Sequence, residues 1–264
     1  MANSQGVTVI LNLFFSTVVN AARGIAATVS TQVNSFVSNF QMAVNPQTMK
    51  YYAVGDYQSM NRLILNNAKY SSYLLMQIGL PVFIEAEFLI NLWLGQIPEY
   101  VIPFLRITLI ECFFKAIDFP IGSGIHAFGR MKLPNITSSI VYLSALPIIY
   151  VCLYFGASPV IAYIILCIVY PVALCFDLWI LNKYSGFNIK DYFYKVPLKS
   201  ITLILCAALL PTVITCNMES GWTRFLLSVL SCVVCSSILI FYVGFDINMQ
   251  NKVMHKVKSV LHIR

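Results

Sequence analysis

The feature that most constrains the fold is a run of 26 uncharged residues between Arg23 and Lys50. As an α-helix, 26 residues would extend roughly 39 Å, which exceeds the roughly 30 Å hydrocarbon core of a bilayer. The run is also two-sided, because polar and apolar side chains each recur every three or four residues. The polar positions are Thr31, Asn34, Ser38, Gln41 and Asn45, and the apolar positions are Val29, Val33, Phe36, Phe40 and Val44.

The polar stripe of this run contains amides and hydroxyls but no charges. A surface helix of a soluble protein would carry lysine and glutamate on its wet side. Two interpretations are open. The stripe forms hydrogen bonds between packed membrane helices, or it faces a water-filled cavity within the membrane.

Composition favours a membrane protein. Of the 264 residues, 59% are hydrophobic and 10% charged, whereas a soluble domain is about a quarter charged. The alternation that is typical of membrane-spanning β-strands is absent, so we expect an all-α, polytopic membrane bundle. The net charge of +7 does not indicate nucleic-acid binding, because the basic residues are spread over short loops between apolar runs.

The apolar runs and their breaks predict eight membrane-spanning helices, A to H. Helix A (residues 7–20) is short, and helix B (24–45) is the two-sided run, which Pro46 should end. Pro81 should kink helix C. Helices C to H are predicted at residues 71–94, 99–128, 134–155, 159–181, 200–216 and 224–245, with amphipathic helices at 57–68 and 189–196. The predicted regions are a main bundle (1–182), a cytoplasmic linker (183–199), two terminal spans (200–245) and a basic cytoplasmic tail (246–264).

Basic residues give the predicted topology its orientation. Thirteen of the 17 lie in the loops of one side, and only Arg23 and Arg224 lie in the opposite loops. Because cytoplasmic loops are enriched in lysine and arginine, both termini are predicted to be cytoplasmic. The thirteen are Lys50, Arg62, Lys69, Arg130, Lys132, Lys183, Lys190, Lys195, Lys199, Lys252, Lys256, Lys258 and Arg264.

A few charged residues in or near the spans are candidate functional groups. Arg23 lies among small residues, and an arginine at membrane depth pairs with an acid or a phosphate. The alternative is an arginine that snorkels or forms a salt bridge at a helix end.

Glu111, Lys115 and Asp118 share one face of helix D. They form either a network that fixes helix packing or a wet, charged wall with a possible role in ion coupling. Interfacial positions are expected for Glu85, Glu87, Arg106 and Asp177.

No pattern of catalytic residues is present. The three histidines are scattered, no Walker A motif occurs, and no metal-ligand clusters are found. Cys232 and Cys235 form a C-x-x-C pair without a second pair, which indicates two small residues in a helix. We therefore expect neither an enzyme nor a cofactor.

Several segments resemble the C-terminal half of bacterial polysaccharide flippases. These are the Wzx-like lipopolysaccharide and O-antigen transporters of the multidrug/oligosaccharidyl-lipid/polysaccharide exporter superfamily, and those of Bacteroides-type bacteria are the most similar. The similarity is strongest over residues 5–200. It is carried by the segments VNAARGIAATVSTQVNSFVSNFQMAVNPQ, GDY, EAEFLINLWLGQIPEY and IDFPIGSGIHAFGRMK.

The resemblance implies the second lobe of a MATE-like fold with two lobes around a cavity, plus two terminal helices. It implies a bacterial inner-membrane protein whose cargo is a polyprenyl-pyrophosphate-linked oligosaccharide. Arg23 and Lys115 would face the pyrophosphate, and Asn34, Gln41 and Asn45 would bind the sugar. Such transporters are about twice as long as this chain. The resemblance therefore implies a fragment, a truncated reading frame, or one half that needs a first lobe or a second copy as a partner.

Three other functions remain open. The first is a multidrug cation exporter of the same superfamily, although Arg23 and Lys115 argue against a cavity for cations. The second is a membrane enzyme such as a sugar transferase, which would need an acidic or histidine-bearing loop. The third is an inactive remnant or an interaction protein that has lost its first lobe.

Overall fold

The computed structural model describes residues 2–15, 17–130, 132–247, 249–251 and 253–254. Every regular element in these ranges is helical, which confirms the predicted all-α class. Helices α1 to α5 are Ala2–Phe14, Thr17–Ala53, Tyr57–Ile84, Ala86–Leu94 and Val101–Ala127. Helices α6 to α10 are Lys132–Tyr154, Val160–Ser185, Ile189–Phe193, Lys199–Asn217 and Trp222–Leu239. A π-helical turn, Tyr194–Leu198, joins α8 to α9, and a second, Ile240–Gly244, extends α10.

Four helices in the described ranges are long and apolar enough to cross a membrane. They are α6, α7, α10 with its π-helical turn, and the continuous helix of residues 189–217 that contains α8 and α9. The bent pair α3 and α4 would add a fifth. Helices α2 and α5 are as long, but α2 is rich in polar side chains, and α5 carries four charged ones, Arg106, Glu111, Lys115 and Asp118.

The boundary between the first two helices differs from the prediction. The break lies near Phe15 rather than at residues 21–23, so Arg23 is in the second turn of α2 and not at a junction. The small residues around it are used for packing instead, because Ala22 and Ala26 are fully buried and let neighbouring helices approach closely. Helix α1 has 13 residues, which as an α-helix extend roughly 20 Å and fall short of a bilayer core.

Helix α2 continues through Pro46, which was predicted to end it, and reaches Ala53. A proline inside a helix removes the hydrogen bond to the carbonyl four residues earlier. That carbonyl belongs to Met42, and both Met42 and Pro46 are exposed residues. The missing hydrogen bond therefore lies on the outer side of the helix rather than against the core.

Helix α3 unites the predicted amphipathic helix with most of helix C. The sequence predicted a break between these two helices near Lys69. Instead, the Lys69 side chain is buried within one continuous helix and pairs with Asp246 at 3.2 Å. The break comes at Glu85 rather than at Pro81, and α4 bends away from α3 by 71°. The Glu85 N–H still donates to the Pro81 carbonyl at 3.0 Å, so the last turn of α3 is intact.

Helix α5 occupies the centre of the bundle. It packs against α2, α3 and α7, and its buried residues include Phe104, Leu105, Ile117 and Ile121. A second apolar cluster joins α1, α6 and α7, and a third joins α3, α9 and α10. Since α6, α9 and α10 leave many large apolar side chains exposed, the bundle presents an apolar outer surface.

Candidate functional site

A cavity of about 490 Å³ lies between α2, α5, α6 and α7, and we call it the tyrosine cavity. It brings together three of the predicted site residues, Arg23, Glu111 and Lys115. Three tyrosines, Tyr142, Tyr163 and Tyr170, line it with Ala27, Ser30, Thr31, Thr108 and Leu166. The charged residues of two sequence segments thus meet inside a bundle whose outer surface is apolar.

Helix α5 supplies an ion pair to this cavity. Glu111 and Lys115 lie one turn apart, and the Lys115 ammonium contacts the Glu111 carboxylate. The Glu111 side chain is almost completely buried, whereas Lys115 is more accessible. Tyr170 on α7 completes the group, because its ring centroid lies 4.9 Å from Lys115 Nζ. The carboxylate holds the lysine in place, and the lysine in turn contacts the tyrosine ring.

Arg23 enters the cavity from α2. Its guanidinium donates to Thr8 Oγ1 on α1 and hydrogen-bonds the Tyr163 hydroxyl on α7. The Tyr163 ring stacks on Phe104, with centroids 4.4 Å apart. These two hydroxyl partners, from two different helices, orient the guanidinium.

The charged side chains of the lining have a formal sum of +1, from Arg23 and Lys115 against Glu111. Arginine presents a planar set of donors that matches phosphate and carboxylate oxygens. The tyrosines add flat apolar faces with hydroxyl groups at their edges. This lining can hold a polar, anionic ligand, and its size is within the range of small-molecule sites.

Gln41 lies away from the tyrosine cavity, and its position has a clear structural cause. Pro120 interrupts α5 and cannot donate to the carbonyl of Ala116, four residues earlier. The Gln41 side chain is buried, and its Nε2 donates to that same carbonyl at 2.7 Å. Gln41 thus replaces the hydrogen bond that the proline removes.

The other two amides are also outside the cavity lining. Asn45 accepts a hydrogen bond from Ser123 Oγ on α5 at 2.8 Å, and Asn34 is half-buried. For Gln41 and Asn45 the structure supports the first interpretation of the polar stripe, in which amides join packed helices.

Asp118 does not extend the Glu111–Lys115 pair into a three-residue network. Instead it interacts electrostatically with Asp177 on α7. Each aspartate has a buried Oδ1 with no hydrogen-bond partner within the described residues. Asp177 is buried, whereas the sequence predicted an interfacial position.

Glu85 also differs from its predicted interfacial position. It is fully buried at the break between α3 and α4, where Arg224 of α10 pairs with it at 3.0 Å. Glu87 and Arg106 form a second pair at 3.3 Å, which is exposed as expected for interfacial residues.

The tyrosines were not predicted as site residues. Tyr163 and Tyr170 are seven residues apart in helix F, which places them on one helix face, and this spacing was readable in the sequence. No group of three or more histidine, cysteine, aspartate or glutamate residues that could hold a metal ion occurs within the described ranges.

No protein-family model matches the chain, and neither a curated protein nor a solved structure shows significant similarity to it. The geometry of the tyrosine cavity and the organisation of the helices are therefore the basis for any functional assignment.

Proposed function

We propose that this chain takes part in moving a polyprenyl-pyrophosphate-linked oligosaccharide across the inner membrane of a bacterium, for surface polysaccharide synthesis. The observation that carries the proposal is the tyrosine cavity. It combines two cations with three tyrosines inside a helical bundle that is apolar outside. A ligand with a charged phosphate end and a sugar end has matching chemistry.

In this proposal the cations bind the pyrophosphate. Arg23 offers a fork of donors, and Lys115 offers a point charge. Glu111 keeps Lys115 in position and lowers its net attraction for the anion. This balance suits a transporter, since cargo that is bound too tightly would not be released. The rings of Tyr142, Tyr163 and Tyr170 contact the sugar.

The proposed topology has eight crossings: α1, α2, the bent pair α3 and α4, α5, α6, α7, α9 and α10, with both termini in the cytoplasm. Because α1 is only roughly 20 Å long, it would cross where the bilayer is locally thinned. The uneven distribution of basic residues supports this orientation. Although α2 is rich in polar side chains and α5 carries four charges, α5 packs against α2, α3 and α7, and α2 also packs against α3. Neighbouring helices would therefore shield much of their polar surface from lipid.

A second lobe completes the transport path in this proposal, supplied by another chain or by a second copy. The outward face of α2 is the surface that would meet it. Thr28, Gln32 and Asn39 are exposed there beside the apolar Phe36 and Met42, so the face is mixed in polarity and uncharged from residue 28 to residue 42. Asp118, beside Asp177, is the proposed site of coupling to an ion gradient.

The test is restoration of surface polysaccharide in a bacterium that lacks its own flippase. The chain is expressed alone and together with a homologous first lobe, in three forms: unchanged, Arg23→Ala, and Lys132→Ala as control. Lys132 is exposed and lies outside the tyrosine cavity. At equal membrane abundance, we expect the unchanged chain and the control to restore polysaccharide and Arg23→Ala to lose at least about tenfold, which corresponds to about one lost charge-assisted hydrogen bond.

If no form restores polysaccharide although all are inserted, the flippase assignment is wrong for this chain. If Arg23→Ala restores as much surface polysaccharide as Lys132→Ala does, the tyrosine cavity is not part of the transport path.

A multidrug cation exporter is the second candidate. Aromatic rings around a carboxylate, as at Glu111, are a site type that binds organic cations. Resistance to cationic dyes in an efflux-deficient host, lost on Glu111→Gln, would favour this candidate over the flippase.

A further inference from the structure

A second cavity, of about 850 Å³, lies at the start of the long helix of residues 189–217, and we call it the basic cavity. One wall is the first half of α3, and the other is formed by α8, the π-helical turn after it and the start of α9. Four basic residues, Arg62, Lys69, Lys195 and Lys199, line it against two acidic ones, Asp191 and Asp246. Its formal charge is therefore +2.

The four cations differ in how they are neutralised. Lys195 pairs with Asp191 at 2.7 Å, and Lys69 pairs with Asp246 at 3.2 Å. Arg62 and Lys199 form no ion pair in the part of the chain that the structure describes, although Asp246 also interacts electrostatically with Lys199. The only hydrogen bond that the Lys199 ammonium makes there is to the Gly244 carbonyl, at 3.3 Å.

Lys69 is a buried cation of this cavity that a surface carboxylate compensates. Its side chain is only 4% exposed, whereas its partner Asp246 is 70% exposed. A buried ammonium needs a compensating anion, and here a carboxylate from the surface supplies it. A phosphate beside Arg62 and Lys199 would complete the neutralisation of the cavity.

The position of the basic cavity along its helix indicates the source of that phosphate. The continuous helix has 29 residues, which extend about 43 Å, more than the roughly 30 Å hydrocarbon core. All the charged residues of this helix lie at its start, between Lys190 and Lys199. We therefore infer that its first turns are the part that extends beyond the core to the level of the lipid headgroups. The cavity residues on this helix, from Asp191 to Thr202, are all in its first half.

An apolar stripe leads from the cavity along the outside of the same helix. Leu198 lines the cavity and is exposed, and Ile201, Leu205 and Leu209 follow it on one helix face, all exposed. A headgroup in the cavity would place its acyl chain on this stripe. A soluble phosphate has no acyl chain, so the stripe would add nothing to its binding affinity.

We propose that the basic cavity binds the phosphate headgroup of an anionic phospholipid, with an acyl chain along Leu198, Ile201, Leu205 and Leu209. This site is separate from the tyrosine cavity, and the inference does not depend on transport. It requires only that the helix of residues 189–217 lies in a membrane.

The test uses the full purified chain in detergent, with thermal unfolding and native mass spectrometry as readouts. Phosphatidylglycerol, phosphatidylcholine and soluble glycerophosphate are compared as ligands. We expect phosphatidylglycerol to bind and to raise the unfolding midpoint, and the other two to have little effect. If phosphatidylcholine binds equally well, the site is not an anion site. If glycerophosphate binds equally well, it is a phosphate site but not a lipid site.

Two charge-matched double variants locate the site. Arg62→Gln with Lys199→Gln removes the two cations that form no ion pair, and glutamine keeps a donor for the Gly244 carbonyl. Lys132→Gln with Lys190→Gln removes two exposed lysines outside the cavity. Since each basic residue near an anionic lipid contributes a factor of about five, we expect the first variant to lose about thirtyfold in phosphatidylglycerol affinity, and the control much less. Equal losses would overturn the proposal.

Asp246→Asn gives an independent readout. It removes the carboxylate that competes with the headgroup for Lys69. Phosphatidylglycerol should therefore stabilise Asp246→Asn by a larger shift of the unfolding midpoint than it does the unchanged chain. An equal or smaller shift would mean that Lys69 and Asp246 form a structural pair with no access to lipid.

Discussion

The hydrogen bond between Gln41 and the carbonyl of Ala116 can be tested through the proline that makes it necessary. Gln41→Leu keeps a side chain of similar size but leaves the carbonyl without a donor, since Pro120 has no N–H. A buried, unsatisfied carbonyl destabilises a fold by about 1–3 kcal/mol. In a chain of this size, that should lower the unfolding midpoint by about 2–12 °C.

Pro120→Ala should remove most of this effect. An alanine at position 120 donates to the Ala116 carbonyl from within α5, so Gln41 is no longer its only donor. The measurement is thermal unfolding in detergent of the unchanged chain, both single variants and the double variant. We expect a coupling energy of at least about 1 kcal/mol between the two positions, which is within the range for residues that share a partner.

Gln32→Leu is the control, because Gln32 lies on the same helix but is exposed. It should leave the unfolding midpoint almost unchanged. The reasoning is refuted if Gln41→Leu lowers the unfolding midpoint no more than Gln32→Leu does. It is also refuted if Gln41→Leu lowers the midpoint of Pro120→Ala as much as it lowers that of the unchanged chain. The second result would show that the amide is needed for something other than the carbonyl that the proline orphans.

Other contacts lead to further predictions. Arg224→Met should destabilise the chain by about 3–5 kcal/mol, because it leaves Glu85 as a fully buried charge. Arg106→Met breaks an exposed pair and should cost about 1 kcal/mol or less; equal shifts in the unfolding midpoint would contradict the assigned difference in burial. Glu111→Gln should release Lys115 from its ion pair and raise the affinity of purified protein for a polyprenyl pyrophosphate by about fivefold or more. Unchanged or weaker binding would show that Lys115 does not reach the ligand.

The apolar helices are the part of the fold that the sequence predicts best. Both predicted ends of α5 and α6, and the predicted C-terminal end of α9, lie within two residues of those in the structure, because hydrophobic runs bounded by charge or by glycine and proline are set locally. The predicted break before the start of α9 was wrong, because residues 189–217 form one continuous helix. The boundaries that were wrong lie where tertiary contacts act. Helix α3 passes through Lys69 because Asp246, 177 residues later, neutralises the charge.

The candidate site was predicted only in part, for the same reason. Arg23, Glu111 and Lys115 stand out as rare charges in apolar surroundings, and the structure brings them to one cavity. The role of Gln41 could not be read from its own helix, because the carbonyl that needs it belongs to α5. Glu85 likewise became a buried residue only through Arg224, which follows 139 residues later.

The pairing of Lys69 with Asp246 also has a consequence for the order in which the protein is made. A ribosome adds about 5–20 residues per second, so the 177 residues between the two partners take about 9–35 s to synthesise. During that time α3 is complete but the carboxylate that compensates Lys69 does not yet exist. The lysine must remain at a wet surface, and this side of the bundle can close only when synthesis is nearly finished. A ribosome stalled before residue 246 should therefore hold a chain whose Lys69 still reacts with water-soluble amine reagents.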